Sequence, residues 1–390
     1  MSDKPRLNVG MVGYAFMGKA HSQGWRTAPR FFDLPMQVGM TAVCGRNLER
    51  TAAAAAELGW DGAETDWRAL VARDDIDLID ICTPGDSHAE IAIAALRAGK
   101  HVLCEKPLAN TVEEAEAMAA AATEAAGRGV FAMVGFTNRR VPAIALARRM
   151  IEEGRLGTIR QVRAAYQQDW IVDPDVPLAW RLQKDKAGSG ALGDIGAHIL
   201  DLSEFLLGDR VVAASGTLET FVKQRPLQAD GTGLAGATAA EGYGEVTVDD
   251  AAWFLGRFAG GAMASYEATR FATGRKNALT IEVSGSDGAL FWNLEELNVL
   301  HYYDNRIPAV EAGFRRILAT EADTPYAGAW WPAGHIVGWE HGFTHQVLDL
   351  VTAFAAGEQP QASFDDGLHV QRVLDTVERS AARGGAWLEV

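Results

Sequence analysis

The chain has 390 residues, with 36 Lys plus Arg against 51 Asp plus Glu and a formal net charge of −15. At roughly 100–200 residues per domain, that length calls for two or three domains, and 48% hydrophobic with 22% charged residues is a globular composition, neither disordered nor collagen-like. The acidic balance argues against nucleic acid or an anionic membrane surface as a partner, while leaving room for a local basic pocket.

Cys44, Cys82 and Cys104 are widely spaced and form no CxxC or Cys/His ladder, so neither a disulfide framework nor a metal site is expected. The N-terminus lacks a signal-peptide pattern, and no apolar run reaches the length of about 18 residues that a membrane span needs. A soluble cytoplasmic protein is expected.

The first third alternates strand-length apolar runs with Ala/Glu/Arg-rich helical segments. Strands are predicted at Leu7–Val12, Val38–Cys44, Asp77–Thr83, His101–Glu105 and Val130–Phe136. Helices are predicted at Lys19–Thr27, Glu49–Leu58, Trp67–Ala72, His88–Ala98 and from Thr111 to about Ala126, with Pro29–Pro35 as an inserted loop. Thr111 followed by Glu114 is a capping-box signature. Continuous apolar strands between helices imply a parallel sheet covered on both faces, hence a doubly wound α/β domain over residues 1–136.

Beyond residue 136 the rhythm changes. After a helix at Ala143–Glu153, strands follow one another: Ile159–Trp170, Val211–Val222, Val248–Phe258, Ala262–Phe271, Leu279–Ser284 and Leu290–Tyr303. A helix at Asp194–Leu207 interrupts them, and two more near Phe343–Ala356 and Gly367–Arg383 close the chain. This predicts an α+β domain over 137–390 with an antiparallel or mixed sheet, and Ala229–Gly244 as a loop.

Four stretches carry chemistry. Gly13-Tyr-Ala15-Phe16-Met17-Gly18 follows the first strand and opens a helix, the setting in which backbone N–H groups hold a pyrophosphate. The second strand ends at Cys44-Gly-Arg46 without the carboxylate that would hold a ribose 2′-OH. Arg46 is therefore either a contact for a 2′-phosphate or a solvated helix-entry residue, and both NAD and NADP stay open. Thr83-Pro84-Gly-Asp-Ser-His88 and Glu105-Lys106-Pro107 lie at carboxyl ends of predicted strands, where such sheets bind ligands. Gly188-Ser-Gly-Ala-Leu-Gly-Asp194-Ile-Gly-Ala-His198 sets a carboxylate and an imidazole four residues apart on one helical face, a pair suited to removing a hydroxyl proton.

With these motifs in this order, the chain resembles the Gfo/Idh/MocA oxidoreductases over essentially its full length. The resemblance implies an N-terminal Rossmann domain and a C-terminal α+β domain with an open, mostly antiparallel sheet that often forms the interface of a homo-oligomer, a dimer or tetramer. It implies hydride exchange between a secondary alcohol of a sugar and NAD(P). It places Lys106, Asp194 and His198 at catalytic positions, and Gly13, Ala15, Phe16, Met17, Gly18, Thr83, Pro84, His88, Glu105 and again Lys106 at cofactor-contacting ones. Asn138-Arg139-Arg140, Gln168-Asp169-Trp170 and Trp180-Arg181-Leu-Gln-Lys184 are most similar to stretches of one branch of the family, the levoglucosan dehydrogenases, whose substrates are pyranoses or anhydrosugars.

Asn138, Arg139, Gln168, Asp169, Trp180, Arg181 and His341 are accordingly the candidate sugar contacts. Trp330, Trp331, Trp339 and His335 offer further flat rings for a sugar's C–H face. Arg139, Arg140, Arg181, Lys184 and Lys186 would suit an anionic group or be paired surface charges. The same scaffold also supports NAD-dependent glycoside hydrolases, some acting on sulfonated sugars, which oxidise, eliminate, hydrate and reduce in turn. That chemistry needs a further base, for which Tyr166 and His341 are the candidates.

Overall fold

The computed structural model describes residues 4–228 and 239–390. The chain forms two compact units, one of Met1–Thr137 with Trp339–His369, the other of Asn138–Gly338 with Val370–Val390.

The first unit is built on six strands: β1 (Arg6–Val12), β2 (Gln37–Cys44), β3 (Gly62–Glu64), β4 (Leu78–Ile81), β5 (His101–Cys104) and β6 (Ala132–Val134). They pair in the order β3-β2-β1-β4-β5-β6, every pair parallel. β4 and the last three residues of β5 are buried, as expected of strands covered on both faces, and Asp80 is the one charged residue among them. The order reverses between β1 and β4, so the segments leaving their carboxyl ends flank the crevice of a doubly wound sheet.

Helices Phe16–Phe31, Leu48–Leu58, Trp67–Val71, His88–Arg97 and Val112–Ala126 cover the faces. The predicted capping box is formed: Thr111 Oγ1 accepts from Glu114 N at 3.2 Å while Glu114 Oε2 accepts from Thr111 N at 3.2 Å. The first helix is longer than predicted, and Pro29 lies inside it instead of in an inserted loop. So close to the C-terminal end, the missing proline N–H removes one helical bond without ending the helix. β3 has no counterpart among the predicted strands, because three half-buried residues carry no periodic signal.

Residues 339–369 return to this unit. A Cβ at Gly24 would lie 2.8 Å from Phe343 O, so only glycine lets helices Phe16–Phe31 and His341–Ala356 approach so closely. The segment then runs beside β6, where Ala362 O accepts from Val134 N at 2.7 Å and Ser363 bridges Met133. It covers a sheet edge that would otherwise be bare.

The second unit holds a nine-stranded sheet. Its strands are β7 (Ile159–Gln167), β8 (Val211–Glu219), then β11 (Ala251–Phe258), β12 (Met263–Thr269), β13 (Ala278–Gly285), β14 (Gly288–Asn293), β15 (Val299–Asp304), β16 (Arg315–Leu318) and β17 (Leu388–Glu389). β9 (Gln224–Gln228) and β10 (Ala239–Glu245) form a separate antiparallel pair. The large sheet runs β16-β15-β14-β13-β7-β12-β11-β8-β17 and is antiparallel except where β12 meets β7. The fold class is thus the expected one, a Rossmann sheet plus an open mixed sheet.

Two local readings change. The predicted strand Leu290–Tyr303 is two strands, β14 and β15, separated by a single turn of 3₁₀ helix at Leu294–Glu296. Of the predicted loop Ala229–Gly244, residues 229–238 lie outside the described residues, and the remainder belongs to β10.

Along β11 the burial alternates, with Trp253, Leu255 and Arg257 exposed, so among the described residues one face of the sheet is uncovered along this strand. On the other side, helix Ala197–Leu207 packs against β7.

Candidate active site

In the first unit, the chain leaving β1 turns at Gly13, whose φ of +95° is a glycine conformation. A Cβ at Gly13 would lie 2.8 Å from Cys82 O, and one at Gly18 only 2.3 Å from Gly13 O. Ala15 is the N-cap of the following helix and supplies no side-chain cap, and the first turn holds no acidic residue. The helix therefore presents uncapped N–H groups and the positive end of its dipole beside the tight backbone turn at Gly13. Those features fit the pyrophosphate of a dinucleotide. Phe16, 55% exposed, stacks on Trp339 at 5.6 Å with 8° between the planes.

At the end of β2, Arg46 is exposed, and the acidic groups come from the next strand: Glu64 pairs with Cys44 across β2 and β3. Burial first, then the charges of Asp66 and Glu64, push the Cys44 thiol up to about 12. Glu64 also accepts a salt bridge from Arg73 at 3.1 Å.

After β4, Pro84 caps a 3₁₀ turn and Ser87 Oγ donates to Thr83 Oγ1 at 2.7 Å. His88 is buried, with Nδ1 3.0 Å from Pro107 O and Nε2 2.9 Å from Thr83 O. Its ring straps together the segments that leave β4 and β5. Lys106 precedes Pro107 through a cis peptide bond.

Glu105 is 4% exposed and turns inward, with Oε1 2.9 Å from His21 Nε2. His21 Nδ1 lies 2.9 Å from Asp80 Oδ1, and Trp25 Nε1 donates to Asp80 Oδ2 at 2.7 Å. Burial favours the neutral His21 ring, but Asp80 and then Cys82 outweigh it and hold its pKa well above 6.5. Neither His21 nor Asp80 is among the predicted site residues. Asp80 was legible as a carboxylate inside an otherwise apolar strand.

In the second unit, Asp194 lies in a π-helical turn, Leu192–Gly196, ahead of the α-helix Ala197–Leu207 that carries His198. The widened turn replaces the regular helix start predicted at Asp194, a distortion often found at functional sites. Asp249 holds the approach: it accepts from Gly190 N at 2.7 Å and Leu192 N at 2.8 Å. A Cβ at Gly190 would fall 1.7 Å from Asp249 O, which is why glycine stands there.

Asp194 Oδ2 pairs with Arg270 Nη2 at 3.2 Å. Arg270 is fully buried, donates to Arg181 O at 3.3 Å, and lies over the Trp170 ring. Arg181 stacks on Trp180; burial lowers its pKa, Asp194 opposes that shift and Arg270 adds to it. His198 Nδ1 is 3.4 Å from Asn138 Nδ2, and its ring is 5.7 Å from Tyr166. Tyr166 Oη and Gln168 Nε2 both donate to Asn277 Oδ1 at 2.8 Å. Burial and then Asp194 push the Tyr166 phenol up.

The structure thus brings Asp194, His198, Asn138, Gln168, Trp180 and Arg181 into one neighbourhood of the second unit, together with the unpredicted Arg270, Asn277 and Asp249. Arg139 is committed to Asp201, with Nε–Oδ2 at 3.0 Å, and lies over Phe205. Asp169 accepts from Lys276 Nζ at 2.7 Å and Gly274 N at 3.0 Å. His341 and Trp339 belong to the first unit, whereas Trp330 is buried and Trp331 exposed in the second. Among the described residues, the one cluster of potential metal ligands is His21, Asp80 and Cys82, and there Asp80 already binds His21.

A Rossmann sheet whose first strand turns into an uncapped helix, and a second unit whose π turn and helix carry a carboxylate and an imidazole, are the parts expected of a nicotinamide-dependent oxidoreductase. Residues 7–136 match the family described as the oxidoreductase family with an NAD-binding Rossmann fold, and residues 144–291 match the GFO/IDH/MocA C-terminal domain. The chain belongs to the Gfo/Idh/MocA family of NAD-binding oxidoreductases.

It is 41% identical to levoglucosan dehydrogenase from Pseudarthrobacter phenanthrenivorans, over 98% of both chains. An oxidoreductase domain protein from Kribbella flavida superposes with a TM-score of 0.94 at 62% identity, over 99% of each chain. Levoglucosan dehydrogenase bound to NADH and levoglucosan superposes with a TM-score of 0.91 at 40% identity, again over 99% of each. No helix among the described residues is long and apolar enough to cross a membrane.

Proposed function

We propose that the enzyme is an NAD-dependent sugar dehydrogenase that oxidises a secondary alcohol of a pyranose or anhydrosugar. The observation that carries this reading is the Asp194–His198 turn, with Arg270 on the carboxylate and Asn138 beside the imidazole. NAD, when bound, supplies the hydride acceptor. His198 takes the hydroxyl proton, Asp194 with Arg181 and Asn138 orients the sugar, and Lys106 stabilises the developing alkoxide. A levoglucosan dehydrogenase similar over the whole chain supports a sugar of this size. Glu64, paired with Cys44 at the end of β2, offers a carboxylate acceptor suited to a ribose 2′-OH, which supports NAD over NADP.

The redox-neutral glycosidase alternative needs a further base, and Tyr166 is a poor one because its phenol is held protonated and donates to Asn277. A panel of anhydrosugars, pyranoses and aryl glycosides with NAD and NADP separates the readings. We expect NADH to accumulate at 340 nm on a pyranose or anhydrosugar; release of aglycone without NADH would establish the glycosidase. Lys106→Ala and His198→Ala should each lower turnover by about 10²–10⁴-fold while NADH binding persists. Near-wild-type turnover in both would remove the assigned roles.

We also assign self-association to the uncovered face of the second sheet, where Trp253 and Leu255 stand exposed in the row Thr217–Trp253–Glu267 and the row beside it. A dimer or tetramer by light scattering that dissociates in Trp253→Glu is the expected result. Three buried cysteines with no disulfide among them suit a cytoplasmic location.

A further inference from the structure

Beneath the Glu-Lys-Pro turn of the first unit lies a chain of charged groups that no step of the proposed chemistry uses. It starts at Asp80 in β4, crosses His21 in the first helix, and reaches Glu105 at the end of β5. Asp80 holds His21 Nδ1 at 2.9 Å and His21 Nε2 meets Glu105 Oε1 at 2.9 Å. The other oxygen, Glu105 Oε2, accepts from the backbone N–H of Lys106 at 3.3 Å. The relative exposures of Asp80, His21 and Glu105 are 0%, 2% and 4%.

The surroundings are built for this arrangement. A Cβ at Gly135 would stand 2.7 Å from Glu105 Oε1, so glycine leaves the carboxylate its room. Trp25 Nε1 donates to Asp80 Oδ2 at 2.7 Å, Cys82 Sγ lies 3.5 Å from Asp80 Oδ1, and the Phe343 ring packs 5.4 Å from the imidazole. Two carboxylates on opposite ring nitrogens are matched when both ring N–H groups donate, the arrangement the imidazolium provides. Removing that cation would leave two anions facing each other out of water, a costly state.

We propose that His21 is a positioning residue, an imidazolium strut that fixes the Glu105 carboxylate and through it the backbone at Lys106. The inference rests on the role assigned to Lys106 above. Its direction follows from the geometry: without the strut, Glu105 is free to turn, the amide of Lys106 loses its acceptor, and the lysine samples positions in which it serves no alkoxide. A misplacement of about 1 Å is enough to cost on the order of a hundredfold in rate.

The test uses the full chain, ¹⁵N-labelled at histidine and ¹³C-dimethylated at lysine, with Lys106 assigned through Lys106→Arg. His21 should read as imidazolium at about pH 8 in the wild type, and in His21→Gln the Lys106 dimethyl signal should shift or broaden. A neutral His21 ring at that pH, or an unchanged Lys106 signal, overturns the proposal. Neither measurement needs a substrate, so failure of the sugar panel leaves them decisive.

On the sugar that the panel identifies, His21→Gln should lower kcat by about ten- to a hundredfold with the NADH dissociation constant and the sugar KM each within about threefold. A loss confined to NADH binding, or none in kcat, overturns the proposal. Should His21→Gln not fold, Asp80→Asn keeps an acceptor for Trp25, removes the charge and turns an NH₂ toward His21 Nδ1. The His21 ring should then titrate lower and kcat fall alike; an unshifted ring with full kcat is the overturning result.

Discussion

His21 and the cysteines show what burial does to single ionisable groups here. The His21 pKa is raised in the fold, so its ion-pair stabilisation is complete below the unfolded value of 6.5 and is lost as pH climbs from there through the folded value. Unfolding at about pH 7.5 therefore releases this proton. His101, whose folded pKa burial lowers, exchanges its proton below 6.5 and does not interfere. Calorimetry in phosphate and in Tris should give unfolding enthalpies that differ by the buffers' ionisation heats, and the difference should shrink in His21→Gln by the share of one proton. The thiols behave oppositely. All three cysteines are buried, and Cys44 is pushed up to about 12. Ellman's reagent should find no thiol in the native protein and three after denaturation; one reactive native thiol would contradict the burial. The chemistry-bearing motifs were legible because each is local in sequence. The His21 network was not, since its partners lie 59 and 84 residues away and meet it only through the order of the sheet.

At the level of elements, the long apolar strands and the capped helix announced themselves, whereas β3, β16 and β17 are too short to show a period. The π turn at Asp194 was equally hidden. Its glycines carry no periodic signal, and what shapes them is a carboxylate more than fifty residues onward. Asp249 accepts from Gly190 N and Leu192 N, and Ala191 N donates to Asp249 O at 3.0 Å. Asp249→Asn keeps the size but turns an NH₂ toward one of those N–H groups, leaving a buried donor unmatched. The cost should be about 1–3 kcal/mol by denaturant titration, with a fall in kcat larger than any change in NADH affinity. Gly190→Ala, placed against a backbone oxygen, should be worse. Stability and kcat both unchanged in Asp249→Asn would show that the turn holds itself.

For the whole molecule, length and rhythm pointed to a cofactor half and a second half divided near residue 136, and the charge of −15 described the exterior without describing the sites. What the sequence could not disclose is that the chain comes back. Helix His341–Ala356 has the pattern of any half-buried helix, and its partner is identified only by the bare backbone at Gly24, against which Phe343 rests. The apolar face of the first helix, with Gly24, Trp25 and Ala28 buried, and the edge of β6 are both completed by residues 339–369. A fragment ending at residue 137 leaves these surfaces in water. It should be aggregation-prone, lack a cooperative melting transition, and not quench on adding NADH. The same fragment joined by a long Gly/Ser linker to residues 339–369 should melt cooperatively and bind NADH. If the short fragment folds and binds equally well, the returning segment is dispensable to the first unit, and the cofactor half ends where its strands end.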